Sequence, residues 1–329
     1  RVAATPTPAP TPTAAAPAKP TGTVRVAVPN TYYLQGSPRF CPSCSLPTRL
    51  GIQETLFEAK WDASRNLTVG PQLAQSWTLA ADMKSADVEL TKGAKWQKGY
   101  GEVTADDVVF SYTESNPRRT PDTVHDTAGD IAAFLESVEK IDTYKVRMNF
   151  HSIYAPAQIR IFSTFWESVP VFSKTVFDEK GVEGMKDFLV GTGPFEVDKW
   201  VLHEGAFVNA VENHWRKTPF IKRLEMIEVV EGSVRRAMME TGEIQVAPLD
   251  PKDQPAMLQK GFVKQPEGYY SRWAVGFAGN HWETTKYGGD KALNRVKHPD
   301  WPWVGDPADP VSMEKARKVR QAMSLDIDR

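Results

Sequence analysis

The sequence predicts an α/β fold, and three of its features carry that prediction. Thr23-Val24-Arg25-Val26-Ala27-Val28 alternates with period two, as a half-buried strand does. Thr104-Ala105-Asp106-Asp107 before Val108-Val109-Phe110 has the form of a helix start: Thr104 caps, Asp107 holds the capping-box position, and both acids favour the positive helix end. Far along the chain, Gly191-Thr192-Gly193-Pro194-Phe195 is a tight corner leading into strand-like sequence through Val197 and Trp200. Gly permits positive φ and Pro fixes φ, so the corner has a defined shape. A re-entry of this kind implies a chain returning to a sheet it left earlier, with a subdomain inserted at 58–188.

The remaining elements follow in order. Residues 1–22 are Pro, Thr and Ala with almost no charge, a composition that cannot build a core and reads as extended and solvated: an interdomain linker, a disordered tail or, with the resemblance given below, a stalk. After the first strand, Pro29-Asn30 opens a loop through Tyr32, Tyr33, Leu34 and Phe40. Arg49–Glu58 reads as a short helix or turn, and Val88–Trp96 alternates into a turn. Phe134–Ile141 leads into a strand at Lys145–Phe150, and Phe177–Phe188 into helix and turn. Beyond the corner, Ala206–Asn213 and Arg223–Val230 are strands. Ser233–Gly242 is a helix capped by Ser233 and stopped by Gly242, with Val234, Ala237, Met238 and Thr241 on one face. A long aromatic loop holds His281-Trp282 and Trp301-Pro302-Trp303. Ser312–Met323 is a last helix, with Ala316, Val319 and Met323 on one side.

Composition sets limits on function. With 329 residues, 41% of them apolar and 25% charged, the chain has length for two domains. A net charge of -1 gives no basic surface for nucleic acid, and no apolar run reaches membrane-spanning length. Two cysteines exclude a disulfide-framework protein. Cys41-Pro42-Ser43-Cys44 has four readings: a structural disulfide across a loop, a redox pair, half a zinc site, or one cysteine pairing beyond this chain. The disulfide is favoured, because His125, His151, His203 and His214 lack zinc-like spacing to the pair and no second C-x-x-C exists. Asp106 and Asp107 are no carboxylate dyad, since adjacent helical residues point about 100° apart. Gly191-x-Gly193 lacks a third Gly and precedes Pro, so it is no dinucleotide motif. No metal, cofactor or catalytic residue is expected.

Several motifs stand in a specific order. Pro71-x-Leu73-Ala74-x-Ser76-Trp77 precedes a strand and Leu90-x-x-Gly93-x-x-Trp96. Thr104-Ala105-Asp106-Asp107-Val108-Val109-Phe110-Ser111-Tyr112, the Gly191 corner, Asn213-x-Trp215, Gly242-Glu243-Ile244 and Val319-Arg320-Gln321-Ala322-Met323 follow. In this order they resemble the family 5 extracellular solute-binding proteins, the peptide- and nickel-type receptors of ABC importers. Departures are Gln97–Glu102 in place of a short turn, His214 where the family usually has Tyr, and Gln245 where it usually has Asp.

The resemblance implies a two-lobed periplasmic-binding-protein-like fold of class II, with the insert in the first lobe. Residues 23–57 and 189–270 would form the first lobe, 58–188 its inserted subdomain, and 271–329 the start of the second. The match covers 23–329 and represents only the earlier part of a typical member, so the second lobe is expected to be incomplete. The implied function is capture of a peptide or similar small solute outside the cytoplasmic membrane by hinge closure, and its delivery to ABC permease subunits. A surface receptor or adhesin of the same fold is the alternative. Candidate ligand residues are Tyr32, Tyr33, Leu34, Trp273, Phe277 and Asn280. The implied protein is a monomer held at the membrane only by a lipid anchor outside this chain.

Overall fold

The structure, a computed structural model, describes residues 19–31, 36–42, 44–62, 66–152, 157–160, 162–164, 169–264, 284–285, 292–293 and 301–326. The chain divides into two compact units, Arg1–Val263 and Lys264–Arg329.

The first unit is built on a four-stranded sheet. Strand β1 (Thr21–Val28) lies parallel to a strand two hundred residues away, Ile221–Glu228, with Val24 opposite Leu224 and Val28 opposite Glu228. Between them the chain makes a long excursion. It forms α1 (Ser45–Arg49), a two-stranded ribbon of β2 (Phe57–Trp61) and β3 (Leu67–Pro71), then β4 (Ala74–Leu79), β5 (Ser85–Leu90), α2 (Ala105–Glu114) and α3 (Ala128–Phe134). β6 (Leu135–Asp142), β7 (Lys145–Phe150), α4 (Ala157–Arg160) and α5 (Lys174–Lys186) complete it. The second sheet is antiparallel in the order β4-β5-β7-β6. The corner then delivers β8 (Phe195–Val201) and β9 (Gly205–Ala210) to the first sheet, whose order is β1-β10-β9-β8 with β10 at Ile221–Glu228. The re-entry implied by Gly191–Phe195 is therefore a return to the sheet that β1 began. α6 (Gly232–Thr241) and α7 (Gln254–Gln259) close the unit.

Each sheet has its own core. The excursion carries the larger, with Tyr112, Phe134, Leu135, Met148 and Phe162 nearly or fully buried. Tyr112 and Phe134 each meet Phe162 edge-on, an arrangement that suits the ring quadrupoles. Beneath the first sheet, Leu50, Ile52, Leu189, Ala206, Val208 and Met226 form a smaller cluster.

Helix α2 starts as its sequence indicates. The Thr104 N–H donates to Asp107 Oδ2 at 2.8 Å, and Asp107 Oδ1 accepts from the Lys174 N–H at 2.8 Å, so one buried carboxylate secures the starts of α2 and α5. Burial raises the Asp107 pKa, and these donors oppose the rise. Asp106 instead faces outward and pairs with Lys140 at 2.6 Å.

Several local readings change. β1 begins at Thr21, whose N–H donates to Phe220 O, so the stalk expected through residue 22 gives way two residues earlier. Phe134–Ile141 holds the end of α3 and most of β6, so with β7 it is half of a hairpin. α6 begins after Glu231, not at Ser233, and its buried residue is Arg235; Val234 is 46% exposed and Ala237 is exposed. The Arg235 guanidinium turns that face inward, donating to the carbonyls of Val229, Val230 and Pro248. The first two carbonyls lie where the chain leaves β10 and the third beyond α6, and charge-assisted bonds to them outweigh the burial of one Val. Gly242 does end the helix, at φ 79°.

In the second unit α8 (Pro310–Leu325) starts at Asp309, whose Oδ1 accepts from the Val311 N–H at 2.9 Å. Ala316 is buried and Val319 half-buried, but Met323 is 40% exposed. Trp301 and Trp303 stack with centroids 5.4 Å apart.

Candidate functional site

Ligands of open α/β sheets gather beyond the carboxyl ends of parallel strands. Here that place is the shared end of β1 and β10, where Thr31 and Glu228 meet. Glu228 Oε2 accepts from both the N–H and the hydroxyl of Thr31, each at 2.6 Å. Its Oε1 lies 3.0 Å from His203 Nδ1, and the His203 N–H donates to Thr31 Oγ1 at 3.2 Å. His203 sits in the β8–β9 turn at φ 62°. The Thr31 donors and His203 hold the Glu228 carboxyl below its ordinary range. The result is a buried Thr31 clamped at the root of the loop that follows β1. Tyr32, Tyr33 and Leu34 come next in the chain and lie outside the described residues, as do Trp273, Phe277 and Asn280.

Gln245 stands close to the first sheet. Its Oε1 accepts from the Arg25 N–H at 2.9 Å and its Nε2 donates to Gly242 O at 3.1 Å. An Asp here would have no donor for the Gly242 carbonyl. The amide ties the end of α6 to β1 without a charge.

The opposite end of the sheet is the corner. The N–H groups of Gly193 and Phe195 donate to the carbonyls of Ile52 and Gly51, both at 2.9 Å. A Cβ on Gly191 would stand 1.8 Å from Ile52 O, and one on Gly193 2.2 Å from Gly51 O. Neither glycine has positive φ. The reason for glycine is thus close approach of two backbones, not the left-handed conformation expected from sequence. Gln97 enters from the inserted subdomain: its Nε2 donates to the carbonyls of Gly193 (2.9 Å) and Phe195 (2.7 Å), and its Oε1 accepts from the Gly191 N–H (3.1 Å). On the other side the Thr192 carbonyl accepts from His214 Nε2 at 2.7 Å and Trp215 Nε1 at 2.9 Å. A cavity of about 480 Å³ adjoins, lined by Trp96, Gln97, Thr192, His214 and Trp215 among others.

His214 is neutral in this arrangement. Nε2–H donates to Thr192 O while Nδ1 accepts from the N–H groups of Arg216 and Lys217. Burial lowers its pKa from the ordinary 6.5. The unfolded chain therefore binds a proton that the folded one resists, and the stabilisation present above pH 6.5 is lost as pH falls toward the folded value. Glu225 and Glu240, held below an ordinary 4.5 by their Arg and Lys partners, act at lower pH. Asp107 has the opposite sign but is common to both proteins compared. Melting temperature should fall between pH 7 and pH 5 in the wild type and fall less in His214→Tyr; parallel pH profiles would show that His214 is not the group responsible.

Cys41 and Cys44 are joined as a disulfide, with Cα atoms 5.3 Å apart. Spacing gave no histidine partner, but the fold brings His125 Nε2 to 3.2 Å from Cys44 Sγ.

This architecture is that of the two-lobed periplasmic binding proteins. The chain aligns with the protein MoaA of A. tumefaciens R10, solved with mannopinic acid, at TM-score 0.59 and 27% identity over 72% of this chain and 46% of that one. It aligns with the ABC transporter-associated periplasmic binding protein DppA of Helicobacter pylori, solved with the peptide STSA, at TM-score 0.61 and 20% identity over 72% and 49%. The chain belongs to the bacterial extracellular solute-binding proteins, family 5: the family's middle region matches residues 68–329. In sequence it is 28% identical to the dipeptide-binding protein of Escherichia coli K12 over 54% of this chain and 36% of that protein. The matched region thus spans less than half the length of each of these relatives.

Proposed function

We propose that this chain belongs to a receptor that captures a peptide or similar small solute and delivers it to ABC permease subunits at the outer face of the cytoplasmic membrane. The family membership supports the class of function. The observation that carries the site is the Thr31–Glu228–His203 clamp, which fixes the root of the β1 loop where ligands of parallel sheets gather. On this reading Tyr32, Tyr33 and Leu34 form the first lobe's ligand wall, and Trp273, Phe277 and Asn280 supply further contacts. Residues 23–57 and 189–270 make the first lobe around the 58–188 insert, and 271–329 begin the second. The receptor acts as a monomer, and the Pro-, Thr- and Ala-rich stretch 1–20 serves as a stalk to a lipid anchor.

The test is titration with di-, tri- and tetrapeptides and mannopinic acid, followed by Trp fluorescence and calorimetry. Saturable binding of at least one is expected; failure of all at millimolar concentration would count against the reading. Thr31→Val keeps the shape but loses the hydroxyl that donates to Glu228 and accepts from His203. Stability should fall by about 1 kcal/mol, the scale of one lost buried hydrogen bond, and affinity for whichever solute binds should fall with it as the root of the loop loosens. Unchanged affinity would remove this loop from the site.

A further inference from the structure

We propose that Cys41, Cys44 and His125 form a redox-gated site for a soft, monovalent d¹⁰ metal ion of the copper(I) type, closed while the disulfide stands and open when a dithiol reduces it. The three side chains converge from two segments some eighty residues apart. Their ligand atoms, the two Sγ and a ring nitrogen of His125, all lie within 4.8 Å of one another. Both cysteines are fully buried and His125 is 3% exposed.

Hydrogen bonds hold this scaffold together beside the disulfide. The Cys44 N–H donates to Asp126 Oδ2 at 2.9 Å, and the Asp126 N–H donates to Cys41 O at 3.0 Å. The Val124 N–H and the Thr123 hydroxyl both donate to Arg39 O. These bonds tie the two segments together at backbone and side-chain groups other than the sulfurs.

The imidazole presents its Nε2 edge to Cys44; in the disulfide form the Thr127 N–H donates to the ring's Nδ1 at 3.2 Å, so coordination through Nε2 moves the ring proton to Nδ1. Its Nδ1 lies 2.9 Å from Thr127 Oγ1 and 3.0 Å from Asp126 Oδ1. Asp126 Oδ1 is buried and accepts no hydrogen bond. When Nε2 gives its lone pair to a metal, the ring proton resides on Nδ1, and this carboxylate oxygen gains a donor. A carboxylate behind a ligating histidine orients the ring and raises its basicity. Two thiolates and one imidazole in a dry pocket suit a three-coordinate copper(I) ion, whereas zinc(II) seeks a fourth ligand.

The chemistry balances. A dithiol gives two electrons and two protons to the Cys41–Cys44 bond, leaving two protein thiols and the oxidised cyclic disulfide of the reductant. Binding of the ion then releases the two thiol protons to solvent as the sulfurs coordinate.

The test uses the full chain, reduced anaerobically with dithiothreitol, desalted, and shown by thiol titration to hold two thiols. Copper(I) is titrated against a chromogenic chelator, with zinc(II) in parallel. One equivalent of copper(I) bound by the reduced protein, none by the oxidised protein, and weaker zinc binding are expected. Asp126→Asn should weaken copper binding about 10–100-fold, and His125→Asn more. A folded, reduced protein that binds no copper, or binds it equally well in His125→Asn, would overturn the proposal. So would tighter binding of zinc. If reduction unfolds the region, copper(I) should restore the near-ultraviolet dichroism, and failure to do so would equally overturn it.

Discussion

Gly191→Ala should destabilise the first unit by at least about 3 kcal/mol, among the largest effects of any single methyl in this chain. The added Cβ would lie 1.8 Å from the Ile52 carbonyl oxygen and 2.6 Å from its carbon. Both are backbone atoms, so no rotamer change relieves the clash; the segments must separate. Separation strains the Gly193 N–H to Ile52 O bond and the Phe195 N–H to Gly51 O bond, both 2.9 Å. It also lifts Leu189 away from Ile52 in the small core beneath the first sheet. The control is Gly129→Ala, in α3, where a Cβ meets nothing within 4 Å and helix propensity favours Ala by up to about 1 kcal/mol. Chemical denaturation of the three proteins is the measurement. Equal midpoints for Gly191→Ala and wild type would mean that the two backbones do not approach as closely as described.

That glycine shows how far sequence could lead. The corner was legible because Gly-x-Gly-Pro before an alternating segment is a strong local signal, and the return to the sheet followed from its position. Its physical reason was not legible, because the clash partner, Ile52, is far away in sequence. The helix start at Thr104 was legible down to the Asp107 bond, since capping is a three-residue affair. α6 was misread for the opposite reason. Local periodicity put Val234, Ala237, Met238 and Thr241 on one face, but the buried residue is Arg235, whose partners are carbonyls at the ends of other segments. Glu228 as the anchor of Thr31, and His125 beside Cys44, were likewise invisible to spacing. In each case the missing information is long-range pairing: a period reports which face is apolar, not what stands opposite.

The largest polar effect should come from Gln97, which the sequence marked only as part of an unusual turn. Its amide serves three backbone groups of the corner: the Gly191 N–H and the carbonyls of Gly193 and Phe195. The Gln97 N–H also donates to Gly191 O at 3.0 Å, a bond that survives any side-chain change. Gln97→Ala leaves up to three buried groups unpaired, each worth about 1–3 kcal/mol if it stays dry. The adjoining cavity lets water reach part of them, so a loss of about 2–4 kcal/mol is expected. Gln97→Glu separates packing from hydrogen bonding. It keeps the shape and the acceptor for Gly191, but ionised it turns a second acceptor toward two carbonyl oxygens. At pH 7 it should be at least as unstable as Gln97→Ala. Acid then protonates the new carboxyl, restoring one donor, so its deficit relative to wild type should shrink as pH is lowered toward 5. Denaturation midpoints of the three proteins at both pH values decide the matter. A Gln97→Glu protein as stable as wild type at pH 7 would show that the donors of this amide do not hold the corner, and that the tie between insert and sheet lies in packing alone.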